Sequence, residues 1–163
     1  MAEIRPASDA DSAAIIDLIA AVFAEYPGCV LDVDGELPHL LRPASAFAEW
    51  GGELWVAEQD GRVVACVGYT DQDGKVELKH LYVAATARRQ GLAARLCQLV
   101  EEAARRRGHS RLQLWTDTRF GDAHRLYQRL GYVRGHTREL QDLSQSVEYY
   151  YLKELGPSEE AAG

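Results

Sequence analysis

The run Leu81-Tyr-Val-Ala-Ala-Thr-Ala-Arg-Arg-Gln-Gly-Leu-Ala-Ala94 concentrates residue types that can bind anions. It reads as a strand that enters a tight basic turn, after which Gly91 opens a long helix. The first amides of a helix have no acceptor in their own ladder and sit at the positive end of the macrodipole. Such an end gathers anions. Gly91 has no Cβ, so a phosphate can approach the backbone closely. Arg88 and Arg89 offer charge-assisted hydrogen bonds. The chemistry expected is binding of a phosphate or diphosphate. GxxxxGK[ST] and GxGxxG are both absent, which excludes the usual nucleotide loops. Taken alone, the same six residues also fit an ordinary helix start with solvated arginines.

Other reactive side chains lie nearby in the chain. Glu77 is six residues before Val83 on the strand that feeds the loop. Strict alternation puts Glu77, Lys79, Leu81 and Val83 on one face, and Leu78, His80 and Tyr82 on the other. His80 is then directed away from Glu77, as a core or surface residue. A salt bridge to Lys79 is one use for Glu77. Tyr127 falls in Ala123-His-Arg-Leu-Tyr-Gln-Arg-Leu-Gly-Tyr132, where helical spacing makes it a core aromatic or an exposed phenol. His124, on that helix, reads as solvated, and Cys97 as a core cysteine. Asp32, Asp34 and Glu36 lack the spacing of a calcium loop.

The elements that must position these groups follow from periodicity and turn signals. Glu3–Arg5 can form a first strand. A helix starts at Ser8 or Asp9 and ends near Tyr26, before Pro27-Gly28. Residues 29–44 read as an acidic loop, with a short helix over 45–50. Asp60-Gly61 and Asp71–Gly74 separate three strands, 54–59, 62–70 and 75–83, the middle one apolar on both faces and so interior. A helix over 91–107 has Leu92, Leu96, Leu99, Val100 and Ala103 in phase, with Gly108 as its C-terminal stop. A strand over 111–117, a helix over 122–130 and strands over 132–138 and 147–153 complete the chain. The fold class is mixed α/β: a twisted sheet of about seven strands with about four helices, ordered β-α-α-β-β-β-α-β-α-β-β.

Composition bounds the function. The chain has 163 residues, 47% of them apolar, which suits one domain with a buried core. One domain over 1–154 and a flexible tail over 155–163 are expected. A formal charge of −7 argues against nucleic acid as the main partner. Three well-separated cysteines, Cys29, Cys66 and Cys97, suggest neither a disulfide framework nor a zinc site. The N-terminus has no apolar leader and no run approaches a membrane span, so a soluble cytoplasmic protein is expected.

Arg88-x-x-Gly91-x-Ala93 resembles the (Q/R)xxGx(G/A) motif of the GNAT superfamily of N-acetyltransferases. Ala123 to Tyr132 resembles the second signature of that family, A-x-x-L-Y-x-x-x-G-F/Y, at the right distance. The element order matches as well, and the resemblance covers roughly residues 3 to 153. It implies acetyl-CoA as acyl donor, with no metal. Arg88, Arg89, Gln90, Gly91, Leu92, Ala93 and Ala94 would hold its pyrophosphate, largely through backbone amides. Leu81, Tyr82 and Val83 would pair with the pantetheine arm, the Val83 amide polarising the thioester carbonyl. That requires the strand to splay from residues 111–117. Glu77 would be the general base and Tyr127 the donor to the departing thiolate. One departure is the loop Thr118-Arg-Phe-Gly121, which lacks the asparagine many members use there; Thr118 and Arg119 are the substitutes at hand.

In that family the acceptor site comes from the loop after the first helix and from the last hairpin. Tyr26, Asp32 and Asp34 in the first, and Arg138 in the second, are the candidates. The acids favour a cationic amine, whereas Arg138 favours a carboxylate. The function implied is direct acetylation of a small-molecule amine or a protein amino group in a ternary complex, without nucleic acid or membrane partners. Homodimerisation is left open. A non-catalytic acyl-CoA sensor is the alternative; it would keep the loop but need neither Glu77 nor Tyr127. Transfer of another acyl group, or onto a hydroxyl, is a third.

Overall fold

The structure, a computed structural model, describes residues 2–156. Residues 157–163 of the expected tail lie outside the described residues. Seven strands form one sheet in the order β1-β2-β3-β4-β5-β7-β6. They are β1 (Glu3–Pro6), β2 (Glu53–Gln59), β3 (Arg62–Gln72), β4 (Lys75–Val83), β5 (Arg111–Asp117), β6 (Val133–Glu139) and β7 (Val147–Glu154). All neighbours are antiparallel except β4 and β5. The expected mixed sheet, with an interior β3, is what forms.

Five α-helices accompany it: α1 (Ser12–Phe23), α2 (Val33–Glu36), α3 (Pro43–Glu49), α4 (Leu92–Arg106) and α5 (Gly121–Arg129). The single turn α2 stands where a loop was expected, because Asp32 caps it by accepting a bond from the Gly35 amide. Leu155, assigned to the tail by sequence, is buried, and its amide donates to the Ser110 carbonyl. No helix among the described residues is long and apolar enough to cross a membrane.

The sheet has a core on each face. Leu96, Val100, Leu112, Leu114 and Tyr151 belong to one, which α4 and α5 cover. Ile15, Ile19, Phe47 and Val56 belong to the other, under α1 and α3. Cys97 is in the first core, and burial pushes its thiol up to about 12.

One irregularity in β4 reorganises the site. Lys79 is opposite Gly68 and Tyr82 opposite Cys66, so His80 and Leu81 together face Val67. This is a bulge, and His80 adopts the left-handed conformation it needs (φ 58°). The bulge reverses the alternation. Leu81 and Val83 join Leu78 on the α4 face, while Glu77, Lys79, His80 and Tyr82 share the α1 face. The sequence expectation that His80 points away from Glu77 is therefore corrected.

Candidate active site

The loop before α4 is built as its residue types require. Gly91 is the N-cap of α4 in the left-handed conformation (φ 73°), and Arg89 is also left-handed (φ 63°). Arg95 N–H donates to the Gly91 carbonyl, the first bond of the helix. Among the described residues, the amides of Arg89, Gln90, Gly91, Leu92, Ala93 and Ala94 have no protein acceptor. A Cβ at Gly91 would meet nothing within 4 Å. The space above these amides is open, and the dipole of a fifteen-residue helix favours negative charge there.

Arg88 lines the groove, and its side chain is already bonded within the protein. Its guanidinium grips both Glu25 oxygens at 2.6 and 2.7 Å, and its Nε donates to the Val83 carbonyl at 3.1 Å. It fastens the loop to the chain just after α1. The hydrogen-bonded Arg88 fork holds the Glu25 carboxyl below its usual range. Arg89 and Arg129, which border the same groove, have no ion-pair partner among the described residues; Arg125 pairs with Asp122. Sequence reasoning missed Arg129, for which the only signal is helical spacing from Asp122 and Arg125.

The groove, of about 620 Å³, is lined by the loop, Tyr26, Val83 and the α5 residues Ala123 and Leu126. Leu81, Tyr82, Phe120 and Ala123 also line a second cavity of about 420 Å³, so the two are neighbours. Between them β4 and β5 pair only at Glu77–Gln113 and Leu78–Leu114. Beyond Leu78 the strands part, as expected. Ala84 N–H donates to the Val64 carbonyl, which fixes the phase of the β3–β4 ladder. Val83, one residue earlier, therefore directs its N–H away from β3, as it does the C=O that Arg88 Nε holds.

Glu77 and Tyr127 both line the second cavity. Glu77 Oε2 is 3.2 Å from Lys79 Nζ, and Gln113 Nε2 donates to Oε1 at 3.5 Å. The anticipated salt bridge exists, and the carboxylate still faces the cavity. Tyr150 donates its hydroxyl proton to Gln113 Oε1 at 3.0 Å, which orients that amide toward Glu77. The Tyr127 ring packs against Tyr132 and Tyr151, with centroids 5.6 and 5.7 Å away. Its hydroxyl has no protein partner, yet no sealed, unpartnered side-chain polar atom exists among the described residues. The oxygen therefore opens on the cavity. Burial raises its pKa well above the ordinary phenol value, so it keeps its proton at neutral pH.

The acceptor candidates disperse. Tyr26 borders the first groove, packed on Phe120 at 4.8 Å. Asp32 is the cap of α2, and Asp34 is exposed outside the cavity. Glu36 reaches the cavity edge while accepting from the Leu143 amide at 2.7 Å. Arg138 does line the cavity; it lies over Trp115 at 4.0 Å and donates to Glu148 at 2.8 Å. Glu148 and Trp115 were missed, because only the pairing of β7 between β5 and β6 brings them there.

Of the two substitutes for the missing asparagine, Arg119 is already engaged: it binds Asp117 at 2.9 and 2.8 Å and the Ser144 carbonyl at 3.1 Å. The Thr118 backbone amide donates to the Val147 carbonyl. Phe120 occupies the groove instead. Burial opposes the Asp117 charge, but the Arg119 bonds hold its carboxyl below the usual range. His124, expected in solvent, is buried, with Nε2 2.8 Å from the Asp117 carbonyl; a carbonyl only accepts, so Nε2 carries the proton.

The chain resembles known proteins in both sequence and fold. It is 31% identical over 151 residues to "Probable N-acetyltransferase camello" of Xenopus tropicalis, a match covering 84% of this chain and 69% of that one. Some relatives are longer: the chain spans 42% of human N-acetyltransferase 8. A GNAT-family acetyltransferase of Staphylococcus aureus Mu50 superposes with a TM-score of 0.82 at 17% identity, covering 96% of this chain and all of that one. The yncA protein of Salmonella typhimurium, whose structure includes its cofactor acetyl-CoA, superposes at 0.72 with 21% identity, over 96% and 95% of the two chains. The sequence model described as the acetyltransferase (GNAT) family matches residues 17–132. The chain belongs to the acetyltransferase (GNAT) family.

Proposed function

We propose that the protein moves the acetyl group of acetyl-CoA onto a cationic primary amine, by direct attack where the two cavities meet. One observation carries this reading: a groove headed by six open amides shares Leu81, Tyr82, Phe120 and Ala123 with a cavity holding Glu77 and a free Tyr127 hydroxyl. Acetyl-CoA supplies an activated acyl thioester and a diphosphate handle, and yncA shows that a protein of this fold can bind it. The amides of residues 89–94, with Arg89 and Arg129, hold the diphosphate. The Val83 amide faces the thioester oxygen and stabilises the charge that grows there. Glu77 takes a proton from the acceptor ammonium, directly or through water, because an alkylammonium with a pKa near ~10.4 cannot attack while protonated. The Tyr127 hydroxyl donates to the departing sulfur.

Five cavity carboxylates, Glu36, Glu77, Asp117, Asp142 and Glu148, face the two cations Lys79 and Arg138. That balance favours a positively charged acceptor. The test is acetyl-CoA with a panel of primary amines, following free thiol. Amine-dependent thiol release supports the reading. Binding of acetyl-CoA without release across a broad panel would instead make the protein a sensor.

Two further results are expected. Glu77→Gln should be slower than the parent near neutral pH by about a hundredfold or more, within the range for a positioned base. Its deficit should shrink as pH rises, since more of the acceptor is then already free amine; a pH–rate profile identical to the parent's would remove the base. Arg89→Ala should weaken acetyl-CoA binding about tenfold, one charge-assisted bond's worth. Arg88→Ala should act mainly on stability, by about 0.5–1 kcal/mol, as a half-exposed ion pair does; calorimetry and thermal melts on both variants separate the two.

A further inference from the structure

His39 and His80 form a pair that the mechanism above does not use. Their Nε2 atoms are 2.8 Å apart, the rings are 14° from parallel, and the centroids are 5.0 Å apart. That centroid distance exceeds the N···N distance by about two imidazole ring radii, its largest possible value. Both nitrogens must therefore lie on the line between the rings, which are edge to edge, a linear N–H···N geometry. One imidazole donates through Nε2 and the other accepts. The pair crosses the cavity wall. His80 lines the cavity beside Glu77, whereas His39, in the turn Pro38–Leu41, is not among the cavity's lining residues and is half-buried. Phe47 and Trp50 pack against His39 from α3 and its end, Phe47 also against His80, and Tyr82 beside His80 on β4. His80 holds a left-handed backbone that a non-glycine residue adopts at a cost, a pattern common where a side chain is needed in place.

We propose that the His80–His39 pair conducts the acceptor's proton out of the cavity, a role that rests on the transferase reading above. Acetylation of an ammonium breaks two of its N–H bonds and the thioester C–S bond, and forms the amide C–N bond. Sulfur leaves with the electron pair and takes one of the two protons; the other has to reach solvent. It passes through Glu77 or water to His80 Nδ1, His80 gives its Nε2 proton to His39 Nε2, and His39 releases its Nδ1 proton. The starting tautomers return by exchange with solvent. The other ionisable groups around the pair are Lys79, Glu77, Tyr82 and Cys66, whose thiol donates to the His80 carbonyl at 3.1 Å. Burial, His39 and Lys79 push His80 down to about 3, and burial and Lys79 lower His39. Neither ring stores the charge, so a hand-over between them does not trap the proton.

The experiment compares the parent with His39→Ala and His39→Gln, using acetyl-CoA and an amine from the panel. Glutamine can keep a hydrogen bond to His80 but cannot pass a proton on. Both variants should lose about a hundredfold in kcat, the low end for one proton-transfer group. Acetyl-CoA affinity should stay unchanged. Added imidazoles should restore His39→Ala in proportion to their basicity. Nitrogen-15 spectra of the resting parent should show one proton coupled to both Nε2 atoms. Parental kcat in His39→Gln, rescue by a non-basic ring of equal size, or no shared proton in the spectra would overturn the relay while leaving the transferase intact. A parent that binds coenzyme A yet never releases thiol would overturn the transferase reading and the relay with it.

Discussion

Gly91→Asp should cost at least about a hundredfold in acetyl-CoA affinity, roughly 2.7 kcal/mol. Gly91 sits at φ 73° with nothing within 4 Å of the position a Cβ would take. Aspartate is among the side chains that tolerate this backbone best, so the fold should survive with a loss of about 1 kcal/mol. What changes is the charge above the open amides. A carboxylate there caps the helix and occupies the donors meant for a ligand. It also repels a diphosphate at about 4 kcal/mol per unit pair at 4 Å and an effective dielectric of 20. Gly91→Asn supplies the control: the same shape and strain without the charge, and only a few-fold loss. Titration calorimetry on the three proteins decides it. Equal affinities would mean that the ligand's charge does not sit over Gly91.

Tyr127→Phe should lower kcat by about 10²–10³ and leave coenzyme A affinity unchanged. The hydroxyl has no protein partner, so its removal leaves no buried group unpaired and creates no cavity in the Tyr132–Tyr151 packing. The melting temperature should be unaffected. Because burial raises the phenol pKa, the parent's Tyr127 stays protonated throughout the neutral range, and its contribution should be flat with pH until well above 10. Comparing kcat of the two proteins against amines that differ only in basicity tests this. A variant as fast as the parent would make Tyr127 a packing residue only.

Gly91 stood out in the sequence as an anion position because the turn and the helix it begins define it locally. The same is true of the seven strands, whose turns at Asp60-Gly61 and Asp71–Gly74 are local signals. Spacing on α5 showed Tyr127 only as a core aromatic; the donor role came from the resemblance of Ala123–Tyr132 to the second signature of the family. What escaped depends on distant pairings. Arg88 is held by Glu25, 63 residues away in the chain, so nothing local shows that its fork is already engaged. The bulge at His80 is set by which residues of β3 stand opposite β4. Counting alternate positions through it inverts every side chain that follows. His124 looked solvated because α5 carries polar residues around it; the carbonyl of Asp117 at the splayed end of β5 gives it a buried partner. The acids of 32–36 could attract an amine on sequence grounds; what the sequence did not show is that Asp32 caps a helix turn and that Glu36, at the cavity edge, holds the last hairpin.

The proposed transfer rests on recognition of a diphosphate by the amides of residues 89–94. Calorimetry of the parent protein with coenzyme A and, separately, with pantetheine, which lacks the diphosphate, measures it directly. Coenzyme A should bind with a Kd in the micromolar range and pantetheine at least about a thousandfold more weakly, some 4 kcal/mol. Comparable affinity for the two, or no heat with either, would contradict it.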